Sequence, residues 1–182
     1  MRVLVGYASA HGSTREIAEH LGERLERWGL ATAVQELAHA TDLGSFDAFV
    51  IGSAVHDQRW LPEARAFVAE QAPALAARPL WLFSVGMPAA LRTPWDGLAR
   101  VLQPPSLVAE FADRVSFRDH LAVSGVVRDE HLGLVGRLVM RVVTRGPGDY
   151  RDWARIDAWA DGIGRVLASL PVVTDRGSAG RP

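Results

Sequence analysis

The chain has 182 residues, 48% of them hydrophobic and 23% charged, with a formal net charge of −1. That length suits one domain with a sizeable core, and the balanced charge gives no electrostatic reason to expect a nucleic acid partner. The absence of cysteine removes thiol chemistry, disulfides and cysteine-ligated metals, while all 20 basic residues are arginine, so neither a Walker A loop nor a Schiff-base lysine is available.

In chain order, RVLVGY (residues 2–7) is a short apolar run of the kind that forms a fully buried strand. From residue 13 to 28, Ile17, Leu21, Leu25 and Trp28 recur at helical spacing, and Gly29 ends the helix. Residues 31–37 read as a second strand, 48–52 (AFVIG) as a third and 80–85 (LWLFSV) as a fourth. Between the last two, residues 62–77 form a helix with Pro62 in its first turn and Ala64, Phe67, Val68 and Leu75 on one face. A short helix is expected near 95–102, broken by Pro104 and Pro105, with another turn or two over 106–113. LAVSGVV (121–127) is a fifth strand. A helix over 134–145 follows, then a longer one over 150–170 with Trp153, Ile156, Ala160, Ile163, Leu167 and Leu170 as its apolar stripe. Residues 1–170 form one domain, and 171–182 read as a polar, flexible tail.

Buried strands alternating with helices predict an α/β fold: a doubly wound parallel sheet covered on both faces. Ligands of such sheets lie beyond the carboxyl ends of the strands, so the loops after the first, third and fourth strands are the place to look for chemistry. Ala8-Ser9-Ala10 has the small-residue look of a signal-peptidase site, but the apolar stretch before it is too short for a leader. With no run long enough to span a membrane, a cytoplasmic, soluble protein is expected.

The first of these loops, YASAHGSTREIA (7–18), crowds hydroxyl and glycine residues at the start of a helix. Free amides at the helix N-terminus, the helix dipole and the hydroxyls of Ser9, Ser13 and Thr14 suit a phosphate, with Gly12 letting the backbone close around it. An ordinary Ser/Thr helix cap accounts for the same residues.

The spacing resembles the flavodoxin phosphate loop, here Ser9-Ala10-His11-Gly12-Ser13-Thr14, with His11 where that family usually carries a hydroxyl. GSTREIA (12–18), IGSAV (51–55), FSVG (83–86) with RTP (92–94), and the stretch 136–163 resemble more narrowly the flavodoxin-like menaquinone-dependent protoporphyrinogen oxidases. This resemblance implies a five-stranded flavodoxin-like sheet in the order 2-1-3-4-5 that binds flavin mononucleotide non-covalently. It implies an oxidoreductase passing electrons from a porphyrinogen-like substrate to a quinone, with a flavodoxin-type electron carrier serving a partner reductase as the alternative. The phosphate would rest on Ser9, His11, Gly12, Ser13 and Thr14. Ser53, Ala54, Val55 and His56 would offer backbone to the pyrimidine edge, and Trp60 or His56 a stacking face. Trp60 as a plain hydrophobic contact fits equally well. Val85 and Gly86 belong to a long third loop, where Arg92 faces a flavin carbonyl, a substrate carboxylate or solvent.

No nucleophile elbow and no metal-ligand spacing of histidines occurs, so neither a hydrolase nor a metal site is expected. Arg137, Arg141 and Arg145 share one helix face, suited to transient contact with an anionic membrane, to the propionates of a porphyrin or to solvent. A quinone or redox protein is the implied partner, and a homodimer is compatible with the sequence.

Overall fold

A computed structural model describes residues 1–86, 107–127 and 148–171. The helices expected over 95–102 and 134–145, the three arginines of the second, Arg92 and most of the C-terminal tail lie outside the described residues.

Strand β1 (Arg2–Ala8) buries Val3, Leu4 and Val5 completely, and successive side chains leave on opposite faces of the sheet. Val3 and Val5 enter a core with helix α1 (Ser13–Glu26), while Leu4 enters a second core on the other face. This double burial is why the strand reads as an unbroken apolar run. In α1 the stripe Ile17, Ala18, Leu21, Leu25 lies on the sheet, and Gly29, at φ 74°, turns the chain into β2 (Ala31–Glu36).

β2 and β3 (Ala48–His56) flank β1, both parallel to it. β5 (Leu80–Gly86) follows β3, and β6 (Asp119–Ser124) follows β5, again in parallel. The order β2-β1-β3-β5-β6 is the expected succession of five long strands, with the two-residue β4 (Arg59–Trp60) added beside β3. Gly52 in β3 admits the ring of Phe83, whose Cζ would lie 2.2 Å from any Cβ there.

Four departures from the sequence reading have local causes. β3 runs on to His56 because it folds back on β4 through Asp57 and Gln58, both left-handed at φ 48° and 60°. The helix expected over 62–77 is two helices, α2 (Pro62–Glu70) and α3 (Ala72–Ala76), separated at Gln71. Pro73 has no amide to continue α2, and it sits in the first turn of α3, where none is needed. The fifth strand stops at Ser124; after Gly125 the chain forms a separate ribbon, β7 (Val126–Val127) against β8 (Gly148–Asp149). The last helix, α4 (Trp153–Ser169), starts later than expected, capped by the Asp152 carboxylate, which accepts from the Arg155 amide.

α1 and α4 cover one face of the sheet, with α2 and α3 on the other. The two helices of the first face are also joined at their edge. Glu16, His20, Arg24 and Trp28, each four residues apart, face α4 and the turn before it. His20 Nε2 lies 2.6 Å from Asp157 Oδ1, and Arg24 donates twice to Asp161, at 2.9 and 2.7 Å. Trp28 Nε1 donates to the same carboxylate at 2.9 Å, and its indole occupies the space that Gly164 leaves by lacking a Cβ.

The hydrogen bonds from Arg24, then Trp28, hold the Asp161 carboxyl well below its ordinary value of 3.8. A carboxyl whose value is lower in the folded than in the unfolded chain stabilises the fold above its unfolded value and loses that contribution as pH falls. Stability measured by urea unfolding is therefore predicted to decline below about pH 4, and Asp161→Asn to flatten that part of the decline.

Candidate functional site

The chain leaves β1, passes through α1 to β2 on one side, then crosses to β3 on the other, so the strand order reverses beside β1. In sheets of this kind ligands bind at such a point, beyond the carboxyl ends of the strands. The registers Ala8↔Ser53, Ser53↔Ser84 and Gly86↔Ser124 bring the ends of β1, β3, β5 and β6 to one edge of the sheet. Three separate stretches of candidate residues thus meet at a single place: 9–14, 53–56 and 85–86.

The first stretch is shaped by Gly12. It stands at the N-cap of α1 with φ 91°, a conformation that costs other residues about 1 kcal/mol or more. No side chain caps the helix. Ser9 Oγ instead accepts from the Gly12 amide at 3.0 Å, which closes the loop and leaves the Ser9 hydroxyl hydrogen to donate elsewhere. The first intrahelical bond runs from the Glu16 amide to the Gly12 carbonyl, so the amides of Ser13, Thr14 and Arg15 precede it. Space beside the Gly12 α-carbon is open to 4 Å.

Thr14 supplies the strongest indication of a ligand. It is 1% exposed, and its Oγ1 has no hydrogen-bond partner among the described residues. Buried hydroxyls are normally paired, and leaving one unpaired costs about 1–3 kcal/mol. Ser13 is half-buried, and a Cβ on Gly125 would approach its Oγ to 2.8 Å, so glycine at 125 leaves that hydroxyl its position. His11 is exposed.

The other stretches divide into occupied and open groups. Ser53 is fully buried with its hydroxyl used twice, accepting from the Leu61 amide at 3.0 Å and donating to the Ala54 carbonyl at 2.7 Å. Its side chain closes the β3–β4 hairpin. Ala54 and Val55 are half-buried, whereas His56 stands exposed with Nε2 3.5 Å from the Asp57 carboxylate. Of the two roles open to Trp60, the structure shows the hydrophobic contact. The ring is 2% exposed, tilts against Phe111 at 4.9 Å and donates from Nε1 to Ser84 Oγ at 2.7 Å. Its enclosure corrects the stacking role and leaves His56 as the aromatic candidate. Val85 is buried, and the Gly86 carbonyl accepts from the Gly125 amide at 2.9 Å.

Two features escape sequence reasoning. Gly125 sits in what reads as a strand, where an isolated glycine signals close approach of another segment. Arg151, ahead of α4, pairs with Glu16 in the first turn of α1, and nothing local to either residue announces the other. Arg151 also donates to Asp149 at 2.9 and 2.6 Å, and this hydrogen bonding, first among its causes, lowers the Asp149 carboxyl and raises the guanidinium.

Among the described residues, no group of three or more acidic or histidine side chains is placed to hold a metal ion, and no helix is long and apolar enough to cross a membrane.

Residues 4–153 match the flavodoxin domain family, and the chain belongs to it. No curated protein matches the sequence significantly. Among solved structures, a flavodoxin from the domain Archaea superposes with a TM-score of 0.59 at 16% identity, covering 92% of this chain and 99% of that one. A flavodoxin variant from Pseudomonas aeruginosa gives 0.59 at 14% identity, over 92% and 99%. The rubredoxin oxygen:oxidoreductase of Desulfovibrio gigas gives 0.61 at 14% identity, over 91% of this chain but 36% of that larger one. These structures share the fold, and membership of the family implies binding of flavin mononucleotide. The uncapped helix, the open space at Gly12 and the unpaired Thr14 hydroxyl fit its phosphate.

Thr14→Val keeps the side-chain shape and removes the unpaired hydroxyl. It is predicted to raise the stability of the flavin-free protein by about 1 kcal/mol in urea unfolding. The same change is predicted to weaken flavin mononucleotide binding at least about tenfold in fluorescence titration, because a bond to the charged phosphate is lost.

Proposed function

We propose that this flavodoxin-domain protein is an oxidoreductase that passes electrons from a reduced, porphyrinogen-like substrate to a quinone. The observation that supports the bound flavin, on which the redox reading rests, is the Thr14 hydroxyl, buried and without a partner among the described residues, at an uncapped helix start on the switch point of the sheet. The finer assignment is supported by the resemblance of residues 12–18, 51–55 and 83–86 to the menaquinone-dependent protoporphyrinogen oxidases.

Bound flavin supplies the electron chemistry itself. The chain's own residues bind and orient. Ser9, Ser13 and Thr14 donate from their hydroxyls to the phosphate, alongside the free amides of the first turn of α1. Gly12 keeps the approach clear of a side chain. Backbone at Ala54, Val55 and Val85 would serve the pyrimidine edge, and the exposed His56 ring would offer an aromatic surface. The donors this loop itself would offer a phosphate are mainly neutral, since it contains no lysine and the neighbouring Arg15 guanidinium is paired with Glu19 at 2.8 Å.

A second reading, an electron carrier serving a partner reductase, is favoured by the flavodoxins among the structural neighbours. Flavin-loaded protein is expected to form porphyrin from protoporphyrinogen in the presence of a menaquinone analogue. Absence of turnover, together with reductase-coupled reduction of cytochrome c, would contradict the enzymatic reading and support the carrier.

A further inference from the structure

Glu16 is an unusual neighbour for an anion. It lies in the first turn of α1, two residues beyond Thr14, at the helix end where the phosphate is read to bind. A carboxylate there interacts well with the helix dipole, yet it repels a phosphate monoester carrying two negative charges. The other ionic group of that turn does not offset it, because Arg15 is exposed and tied to Glu19. His20, one turn further on, lies against Asp157.

The cation that meets Glu16 comes from the far end of the chain, and Glu16 shares it with Asp149. Arg151 Nη1 donates to Glu16 Oε2, although the two residues are 135 positions apart. The guanidinium is fixed from several sides: Nε and Nη2 donate to Asp149, and Cζ lies 4.6 Å from the centre of the Trp153 ring. Only 11% of the Arg151 side chain is exposed, so the charge is held in place rather than swept through solvent. The backbone around it is joined to the same end of the sheet, since the Tyr150 amide donates to the Gly125 carbonyl and Gly125 adjoins Ser13.

We propose that Arg151 is a positioning residue of the phosphate site: its guanidinium, shared between Asp149 and Glu16, draws the Glu16 carboxylate to the α4 side and offsets part of its charge, which lets the N-terminus of α1 accept a doubly charged phosphate monoester. This rests on the phosphate reading of residues 9–14. Arg151 touches no part of the ligand; it sets how strongly a phosphorylated flavin is preferred over the same flavin without phosphate.

The test is fluorescence titration of flavin mononucleotide and of riboflavin into the parent, Arg151→Gln, Arg151→Lys and the double variant Glu16→Gln/Arg151→Gln, with a thermal melt of each. Arg151→Gln is expected to weaken flavin mononucleotide about fivefold at low salt while changing riboflavin less than about twofold. The loss should shrink at high salt, and both Arg151→Lys and the added Glu16→Gln should recover most of it. Equal losses for both flavins, an unchanged preference, or failure of Glu16→Gln to restore binding would overturn the proposal and leave Arg151 a tie between helices. If the parent binds neither flavin, the flavin reading fails on its own. The same variants are then titrated with inorganic phosphate by phosphorus-31 resonance: weakening by Arg151→Gln and recovery by Glu16→Gln support the proposal, and any other pattern overturns it.

Discussion

All five long strands of the sheet run in the same direction, and the rest of the molecule follows from that constraint. Parallel strands need crossovers, the crossovers bring helices, and the helices must cover both faces of a sheet whose strands are apolar on both sides. Here α1 and α4 take one face while α2 and α3 take the other. Each of these five strands then delivers its carboxyl end to the same edge, and β1 hands over directly to a helix N-terminus there. A site for an anion is a by-product of this geometry; the sequence decides whether the site is kept open or capped.

The hydroxyls near that edge show the decision. Ser53 is satisfied twice within its own hairpin, and Ser84 receives the Trp60 indole and lies 2.8 Å from His120 Nε2. These polar groups are buried and spent on the fold. Thr14, equally buried, is not. Placing an unpaired hydroxyl beside an uncapped helix start costs stability in two ways at once, and bound phosphate would offset both, while Gly12 takes up its left-handed conformation without strain. The ion pair of Glu16 with Arg151 belongs to the same economy of charge, since it ties the start of α1 to the turn before α4 at the place where an anion must be tolerated.

Much of this was legible in the residues alone. Buried strands announce themselves as apolar runs, α1 and α4 as stripes at helical spacing, and the Ser-Ala-His-Gly-Ser-Thr loop falls between a strand and a helix where ligands gather. What was hidden depends on long-range or unusual local geometry. The β3–β4 hairpin has two left-handed residues, Asp57 and Gln58, without the glycine that normally signals such a turn. Trp60 looked available for stacking because its burial is decided by Phe111 and Ser84, which sequence proximity does not reveal. Gly125 and Arg151 act on the start of α1 from more than a hundred residues away.

The central claim is that residues 9–14 form a phosphate cradle for flavin mononucleotide. Its most direct test is the visible absorption spectrum of the purified protein after incubation with flavin mononucleotide and desalting. Retention of flavin bands at close to one flavin per chain is the predicted result. A colourless protein would contradict the account, and the loop would then be an uncapped helix start with no ligand to explain it.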